Sequence, residues 1–598
     1  MRLPTIGFVV TSGLAAARRF PFVLGAGVVA SYAGMALVNR GESADYVRLL
    51  VSATLGFPLL FALTVLAERR GRAAAAWWAI PAAGVVALAV FWAAWPRWSS
   101  PVQMLRYAQL SAAFHLLVAF LPYAGYDEPN GFWHYNRTLF LRFLTASLYS
   151  GVLYAGLAVA LLALDKLLGV PVPGEGYARL WIAIAFVFNT WFFVGGVPED
   201  LSALETRGDY PTGLRVFTQY VLVPIVALYL LILTLYLGKV LITRQWPSGW
   251  IGYLVSSVAS VGTLSWLLVY PLEQRAEYAW VKRFTRGFYV VLMPAIVMLW
   301  LALWKRVEQY GVTEPRYFLI VLSVWLAGIS LYYTMARSRS VKVIPATLCA
   351  LALMTFAGPW SAYAVSRASQ VARLRAVLVR NDLLANGVLR RAARGVPHAD
   401  RREISSALRY LLDTHGERAI ATLLTDSLRH ALAVGRSGRT RGSGAVGAEA
   451  IMTALSLEYV PPWETTPGVY FSYYTSEVSA PLYIGGYTYA MRISLWRLGD
   501  SLRIADGTYL GLAQDSMSLR VVRDGLVLLA IPLRAVVDSG AAYSRRHPNA
   551  AVPSAVLRVE MRSGNAAALV RFTQLTGMKR PDGTRLTSFE GDVFLRLP

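Results

Sequence analysis

Long apolar runs recur along the first three-fifths of the chain and are separated by short polar segments. The hydrocarbon core of a bilayer, about 30 Å thick, needs roughly 20 consecutive apolar residues in helical form. The runs have this length, and none shows the strict alternation of a barrel strand. We therefore predict an α-helical polytopic membrane protein with about eleven transmembrane helices, at 20–39, 49–67, 74–95, 107–124, 140–164, 179–197, 218–242, 249–270, 286–304, 317–336 and 342–365.

The N-terminal segment, residues 1–19, is shorter than the runs that follow it. Its Arg18 and Arg19 come directly before the first long run. Paired arginines at that position are typical of the cytoplasmic end of a spanning helix, so we predict an uncleaved interfacial segment rather than a signal peptide. The transmembrane helical domain then occupies residues 20–365.

The pattern changes after residue 365, where charged residues return. Residues 366–434 keep a helical period and are predicted to form a helical soluble segment. The stretch 435–447, rich in Gly, Ser and Arg, is predicted to be a linker. In 448–598 the period changes to two, and Asp524-Gly525 between two strand-like runs predicts a tight hairpin. This last part is therefore predicted to be a small β-rich soluble domain.

The composition agrees with a membrane protein and changes the interpretation of the charge. Hydrophobic residues make up 56% of the chain and charged residues 15%, against about a quarter charged in soluble domains. A net charge of +24 could indicate a nucleic-acid partner. However, the cations are spread over loop edges, and no basic stripe is interleaved with aromatic residues. We therefore predict membrane lipids as partners and no nucleic acid.

The usual sequence signatures of catalysis and of metal or cofactor binding are missing. The chain has no P-loop, no dinucleotide-binding glycine motif, no H-E-x-x-H and no G-x-S-x-G. Six histidines and the single Cys349 leave little material for a metal cluster, and one cysteine forms no intrachain disulfide. No catalytic residue, metal site or cofactor is predicted, and whether the chain is an enzyme stays open.

Two polar residues inside predicted helices are candidates for function. His115 and Asn189 lie within long apolar runs, where a polar group is costly unless it is paired or used. Either residue contacts a ligand, with a proton relay as a further role for His115, or it forms a hydrogen bond between neighbouring helices.

The loop "YDEPNGFWHYNRTLF", residues 126–140, is the strongest site candidate. The alternation of helices places it on the same membrane face as residues 195–211 and 273–283. Clustered carboxylates with imidazole can bind a divalent cation or hold a cationic or polyhydroxylated substrate. The alternative is a solvated loop whose aromatic residues mark the headgroup layer. The candidate polar rim comprises Asp127, Glu128, Asn130, His134, Glu199 and Asp200, with Asn136, Glu205, Asp209, Glu273 and Glu277 on the same face.

Several longer phrases of the chain are distinctive, among them "NGFWHYNRTLFLRFLTASLYSGVL", "WFFVGGVPED" and "FAGPWSAYAVSRASQVARL". Together they resemble a bacterial membrane family catalogued as domain of unknown function 4153, over roughly residues 15–430. The resemblance implies a multi-spanning inner-membrane protein with no established activity and no assigned site residues.

The orientation follows from the distribution of cations. Lys and Arg are more frequent in the loops on the N-terminal side of the predicted bundle than in the alternate loops. The positive-inside rule then places the N-terminus in the cytoplasm. An odd number of crossings places the C-terminal domain outside it, and the predicted location is the bacterial inner (cytoplasmic) membrane.

Three functional hypotheses follow. A transport-like or ligand-handling protein, which we favour, predicts a cavity at mid-membrane depth lined by His115 or Asn189 and a small-molecule partner. A membrane-embedded enzyme acting on lipid or glycan predicts a cleft open to lipid, with two rim carboxylates close together. A scaffold or sensor predicts a tightly packed bundle that presents the β domain to an extracytoplasmic protein.

Overall fold

The computed structural model divides the chain into two units. One comprises Met1–Gly395 and Glu403–Glu458, and the other comprises Val396–Arg402 and Tyr459–Pro598. The structure describes all residues except 1–5, 42, 72–73, 97–99, 245–250, 274, 337–338, 427, 431, 433–443, 462–468, 478–480, 495–500, 514–516, 548–550 and 581–582.

Ten helices in the described part of the chain are long and apolar enough to cross a membrane, so the protein is a polytopic helical membrane protein. The apolar runs form helices because, without water, each backbone N–H and C=O must be paired within its own segment. The helices up to residue 354 are α1 (Ile6–Arg19), α2 (Pro21–Arg40), α3 (Ala44–Arg69), α4 (Ala74–Ala94), α5 (Pro101–Phe120), α6 (Pro129–Leu168), α7 (Gly174–Ala183), α8 (Asn189–Val194), α9 (Thr212–Phe217), α10 (Val223–Thr243), α11 (Ile251–Val269), α12 (Ala279–Tyr310), α13 (Glu314–Met335) and α14 (Val343–Met354). Single π-turns, Ile184–Phe188 and Thr218–Leu222, join α7 to α8 and α9 to α10.

The last predicted span, 342–365, is only partly helical. Helix α14 has 12 residues and ends at Met354. At about 1.5 Å per residue it covers roughly 18 Å, which is short of the bilayer core. The chain leaves the helix in a turn at Gly358, whose φ of +87° is accessible to glycine at little cost.

Helix α14 and the turn after it nevertheless connect the two ends of the bundle. Lys342, just before α14, donates a hydrogen bond to the carbonyl of Tyr126, which follows the C-terminal end of α5. Tyr363, after the turn, donates to Gln109 in the N-terminal half of α5 (2.9 Å). The segment after residue 361 therefore begins at the opposite end from Lys342.

Glycines and aromatic rings determine how closely the helices pack. A Cβ atom on Gly27 of α2 would lie 2.5 Å from the carbonyl oxygen of Phe186, so α2 packs directly against the first π-turn. Farther along, Trp266 lies 4.6 Å from the ring of Tyr333, which stacks on Tyr289 at 5.0 Å. All three rings are fully buried, and they link α11, α12 and α13.

The part of the first unit after α14 is mainly helical. It contains α15 (Ala362–Arg380), a short hairpin of β1 (Leu384–Ala385) and β2 (Val388–Leu389), the part of α16 (His398–Tyr410) from Glu403 onward with a π-turn (Leu411–His415), and α17 (Gly444–Ala454). The predicted linker 435–447 must be corrected at its C-terminal end. Residues 435–443 lie outside the described residues, but α17 begins at Gly444. This helix belongs to the first unit, and its apolar side chains Ile451 and Met452 are buried.

The second unit contains two antiparallel sheets. The strands are β3 (Val469–Tyr474), β4 (Tyr489–Ser494), β5 (Leu502–Ala505), β6 (Thr508–Leu512), β7 (Ser518–Arg523), β8 (Leu526–Pro532), β9 (Arg558–Ser563), β10 (Ala566–Arg580) and β11 (Gly583–Arg596), with helix α18 (Arg534–Arg546). One sheet has the order β3-β10-β11-β4, with β9 also paired to β10, and the other is a β5-β6-β7-β8 meander.

The hairpin prediction in this unit is confirmed. Asp524 and Gly525 connect β7 to β8 with φ angles of +50° and +83°, as a tight two-residue turn requires. Buried residues of both sheets, such as Val521 and Phe572, belong to one core. The β-rich prediction for this part of the chain is therefore correct.

Candidate functional site

The three loops of the predicted rim lie together at one end of the helical bundle. Asn130, at the start of α6, donates its side-chain amide to the carbonyl oxygens of Glu205 (2.7 Å) and Arg207 (2.8 Å). Arg275 donates to the carbonyl of Gly208 (2.9 Å). These contacts join residues of all three loops, as the alternation of helices predicts.

Several carboxylates at this end are paired with arginines. Arg69 of α3 forms an ion pair with Glu128, and its guanidinium lies 4.3 Å from the centre of the Tyr126 ring. Arg19 holds Glu68 through two hydrogen bonds of 2.8 and 2.9 Å. A bidentate pair of this kind satisfies both oxygens of the carboxylate. Among the candidate rim acids, the charge of Glu128 is therefore neutralised from within the protein.

Two further acids of the same face serve the loop structure. Arg137 donates to Asp209 (3.0 Å), and this hydrogen bond holds the pKa of the Asp209 carboxyl below its ordinary value. Glu205 accepts the backbone N–H of Gly131 (2.6 Å) at the first turn of α6, where helix N–H groups lack partners. Both carboxylates therefore already accept hydrogen bonds from groups of the protein.

Glu199 and Asp200 lie on an exposed turn away from the large cavity described below. Asp200 accepts the backbone N–H groups of Ser202 (2.9 Å) and Ala203 (3.2 Å) and so begins a short turn of 3₁₀ helix. Glu199 is exposed beside it. The structure gives Asp200 a local role and does not bring these two residues to Asp127.

His134 and Asn136 face different surroundings from the acids. The buried His134 lines a small cavity of about 200 Å³ together with Arg137 and Asp209. Asn136 donates to the carbonyls of Ala119 (3.1 Å) and of its own helix. The residues predicted as one rim are thus divided among several environments.

The two intramembrane candidates make simple hydrogen bonds. Asn189 donates to the hydroxyl of Ser150 (3.0 Å), which links α8 to α6. His115 is exposed on α5, and its Nδ1 lies 2.7 Å from the carbonyl of Ser111 in the same helix. Neither residue lines the large cavity.

A cavity of about 1030 Å³ opens between the loop after α5, the start of α12 and the segment before α14. Five basic side chains and two acidic side chains, Asp127 and Glu273, line this cavity. Glu273 accepts the indole N–H of Trp266 (3.1 Å), and Arg339 lies 3.9 Å away. The bases are Lys282, Arg283, Arg286, Arg339 and Lys342. We call this the cationic cavity.

Helix α12 supplies the basic wall of the cationic cavity. Arg283 and Gly287, four residues apart, lie on one helix face, and Arg286 is adjacent. The same face continues to Val290, which is 48% exposed, and across the cavity mouth lies Met335, which is 71% exposed. The cavity therefore combines a cationic wall with an apolar edge at the end of the membrane helices.

Sequence reasoning missed the basic residues of this cavity. It counted Lys282 and Arg283 only toward the orientation of the bundle. The available signal was their spacing with Arg286 at the start of an apolar helix, followed by the small Gly287. Among the described residues no group of three or more His, Cys, Asp or Glu is placed to hold a metal ion.

Comparisons with known proteins give a family but no activity. The model of the family described as "Domain of unknown function (DUF4153)" matches residues 26–393. The chain is also similar to the uncharacterized protein PM1469 of Pasteurella multocida (strain Pm70), with 26% identity over 175 residues. The match covers 29% of each chain, so it spans less than a third of that relative. No solved structure matches the chain.

Proposed function

Because the chain belongs to the family described as domain of unknown function (DUF4153), whose matched region contains the whole cationic cavity, we propose that it is a ligand-handling membrane protein that binds an anionic amphiphile. The observation that carries the proposal is the excess of five bases over two acids around one cavity. Guanidinium groups bind phosphate through paired, charge-assisted hydrogen bonds. A phosphate-bearing headgroup is the chemistry that this wall fits.

The apolar edge of the cavity favours a lipid over a small hydrophilic anion. Val290 and Met335 are exposed where the cationic wall meets the membrane-spanning part of α12 and α13. A lipid whose acyl chain contacts these two side chains has its headgroup beside Arg286. Basic residues next to a membrane helix contribute about 1 kcal/mol each to the attraction of anionic lipid.

The proposed location is a bacterial inner membrane, with the cavity and the N-terminus on the cytoplasmic side. The positive-inside rule supports this placement. Arg19 donates to the carbonyls of Val197 (2.7 Å) and Pro198 (2.8 Å), which lie in a loop at the same end as the cavity. Gln370 of α15 instead donates to Tyr310 (2.8 Å) at the opposite end, which is extracytoplasmic in this orientation.

Removal of two cavity arginines tests the proposal. The double substitution Arg283→Gln and Arg286→Gln is expected to weaken binding of a short-chain phosphatidylglycerol about 30-fold, because two charges of about 1 kcal/mol each are lost. The measurement is the lipid-dependent shift in Tm of the full chain in neutral detergent. Glycerol 3-phosphate is titrated in parallel to separate a headgroup requirement from a requirement for the whole lipid.

Arg179→Gln with Lys239→Gln is the matched control, because both residues are exposed cations outside the cavity. It should leave the lipid-dependent shift unchanged. An equal loss in both double variants would mean that only overall charge matters. In that case, or if neither probe stabilises the wild type, the proposal is wrong.

Removal of the negative charge of Asp127 is a second test of the proposed anionic ligand. Asp127→Asn is expected to strengthen binding of the same lipid about fivefold, because one repulsive charge of about 1 kcal/mol leaves the cavity wall. Glu199→Gln, an exposed acid at the same end that does not line the cavity, should have no effect. Weaker binding by Asp127→Asn would instead indicate a cationic ligand and an acidic site.

A further inference from the structure

A second cavity, of about 420 Å³, lies at the opposite end of the bundle from the cationic cavity. It is built by the start of α5, the turn before α15 and the end of the π-turn after α16. Its charged side chains are Arg106 and Arg367, with the imidazole of His415 beside them. No carboxylate of the described residues lines this cavity.

Arg106 is held in position without using all of its donors. Its guanidinium lies 4.6 Å from the centre of the Tyr363 ring and 5.9 Å from that of Phe356. Its Nε is buried, and no hydrogen-bond partner for it exists among the described residues. An unsatisfied buried donor is costly, so this arginine has a strong requirement for an acceptor.

His415 is positioned from behind by a buried acid. The imidazole is 6% exposed, and its Nε2 lies 3.1 Å from Oε1 of Glu314, which is itself 2% exposed. The N–H direction is not aligned for a hydrogen bond, so the two groups are in close polar contact. Hydroxyl groups of Ser366 (3.0 Å) and Tyr410 donate to the same carboxylate. Glu314 thus limits the rotation of the imidazole.

We infer that this second cavity binds a phosphate group, free or as a monoester, with Arg106 and Arg367 as the main donors and His415 as a third. Its volume suits a small ligand. The arginines supply paired donors for phosphate oxygens. Glu314 acts as a positioning residue for His415. The site is separate from the cationic cavity, so the two proposals succeed or fail independently.

The test uses the full chain in neutral detergent and inorganic phosphate as the probe, with chloride at equal ionic strength as the reference. Isothermal titration is expected to show binding to the wild type that Arg106→Gln and Arg367→Gln each weaken at least tenfold, as expected for loss of a charged hydrogen-bond pair. His415→Gln is expected to weaken it about tenfold for the same reason. Glycerol 3-phosphate and a short-chain phosphatidate are titrated alongside, and they distinguish a soluble ester from a lipid headgroup.

Arg375→Gln is the matched control, since Arg375 is an exposed arginine on the same helix as Arg367 and does not line the cavity. Its affinity for inorganic phosphate should equal that of the wild type. The Tm of each variant verifies that it is folded. If none of the three probes binds the wild type, or if Arg106→Gln and Arg367→Gln bind as the wild type does, the inference is overturned.

Discussion

Replacement of Glu314 by alanine is expected to destabilise the protein by about 3 kcal/mol, because a buried carboxylate that accepts from several polar groups is lost. The carboxylate is 2% exposed and contacts His415, Tyr410 and Ser366. Its loss removes the acceptor that these three polar side chains share. Burial, with the hydrogen bond to Glu314, raises the pKa of the Tyr410 hydroxyl, so this hydroxyl is a donor at neutral pH.

The free energy of unfolding in mixed micelles measures this effect, and proteolysis of residues 403–423 reports on the attachment of the segment after α15. Glu308→Ala is the control, because Glu308 is exposed near the end of α12 and its truncation should change stability by less than about 0.5 kcal/mol. Glu314→Gln keeps the acceptor oxygen and should be less damaging than alanine. If Glu314→Ala unfolds like Glu308→Ala, this network does not hold the segment.

Gly27→Ala is expected to cost about 1–3 kcal/mol, although alanine is normally the better helix former. The added Cβ would lie 2.5 Å from the carbonyl oxygen of Phe186, a backbone atom of the π-turn that cannot rotate away. The helices α2 and α7 must then separate, and the contacts of Gly34 with Ile182 along the same seam loosen too.

The control lies two residues away. Gly25 is exposed on the same helix, and a Cβ added there meets nothing within 4 Å. Gly25→Ala should therefore be neutral or slightly stabilising in the same unfolding measurement. Equal stability of the two alanine variants would show that α2 does not depend on this close approach.

The fold was predicted well wherever one local property decides it. Long apolar runs such as α10 are helical because, inside a membrane, a single segment can pair all of its backbone N–H and C=O groups only as a helix. The hairpin at Asp524-Gly525 follows from two residues that tolerate positive φ. Helix α14 shows the limit, because the run 342–365 is apolar enough to cross and yet ends as a helix at Met354.

The candidate site was predicted less well, because its charges depend on partners far along the chain. Glu128 carries a negative charge in the sequence, but Arg69, 59 residues earlier, neutralises it. His115 looked like a functional group inside a span and lies exposed on α5. Conversely, no signal in the sequence indicates that folding places His415 against Glu314.

The amino-acid sequence by itself determined that this chain is a membrane protein, which loops share an end of the bundle, and that strands follow the helices. These are consequences of segment length, period and polarity, which each segment carries within itself. Only the tertiary structure decided the sign of the large cavity and the existence of the second one. The physical reason is that the effect of a charge depends on the groups around it. The packing of helices that are distant in sequence determines which acids are paired with cations and which arginines point into open space.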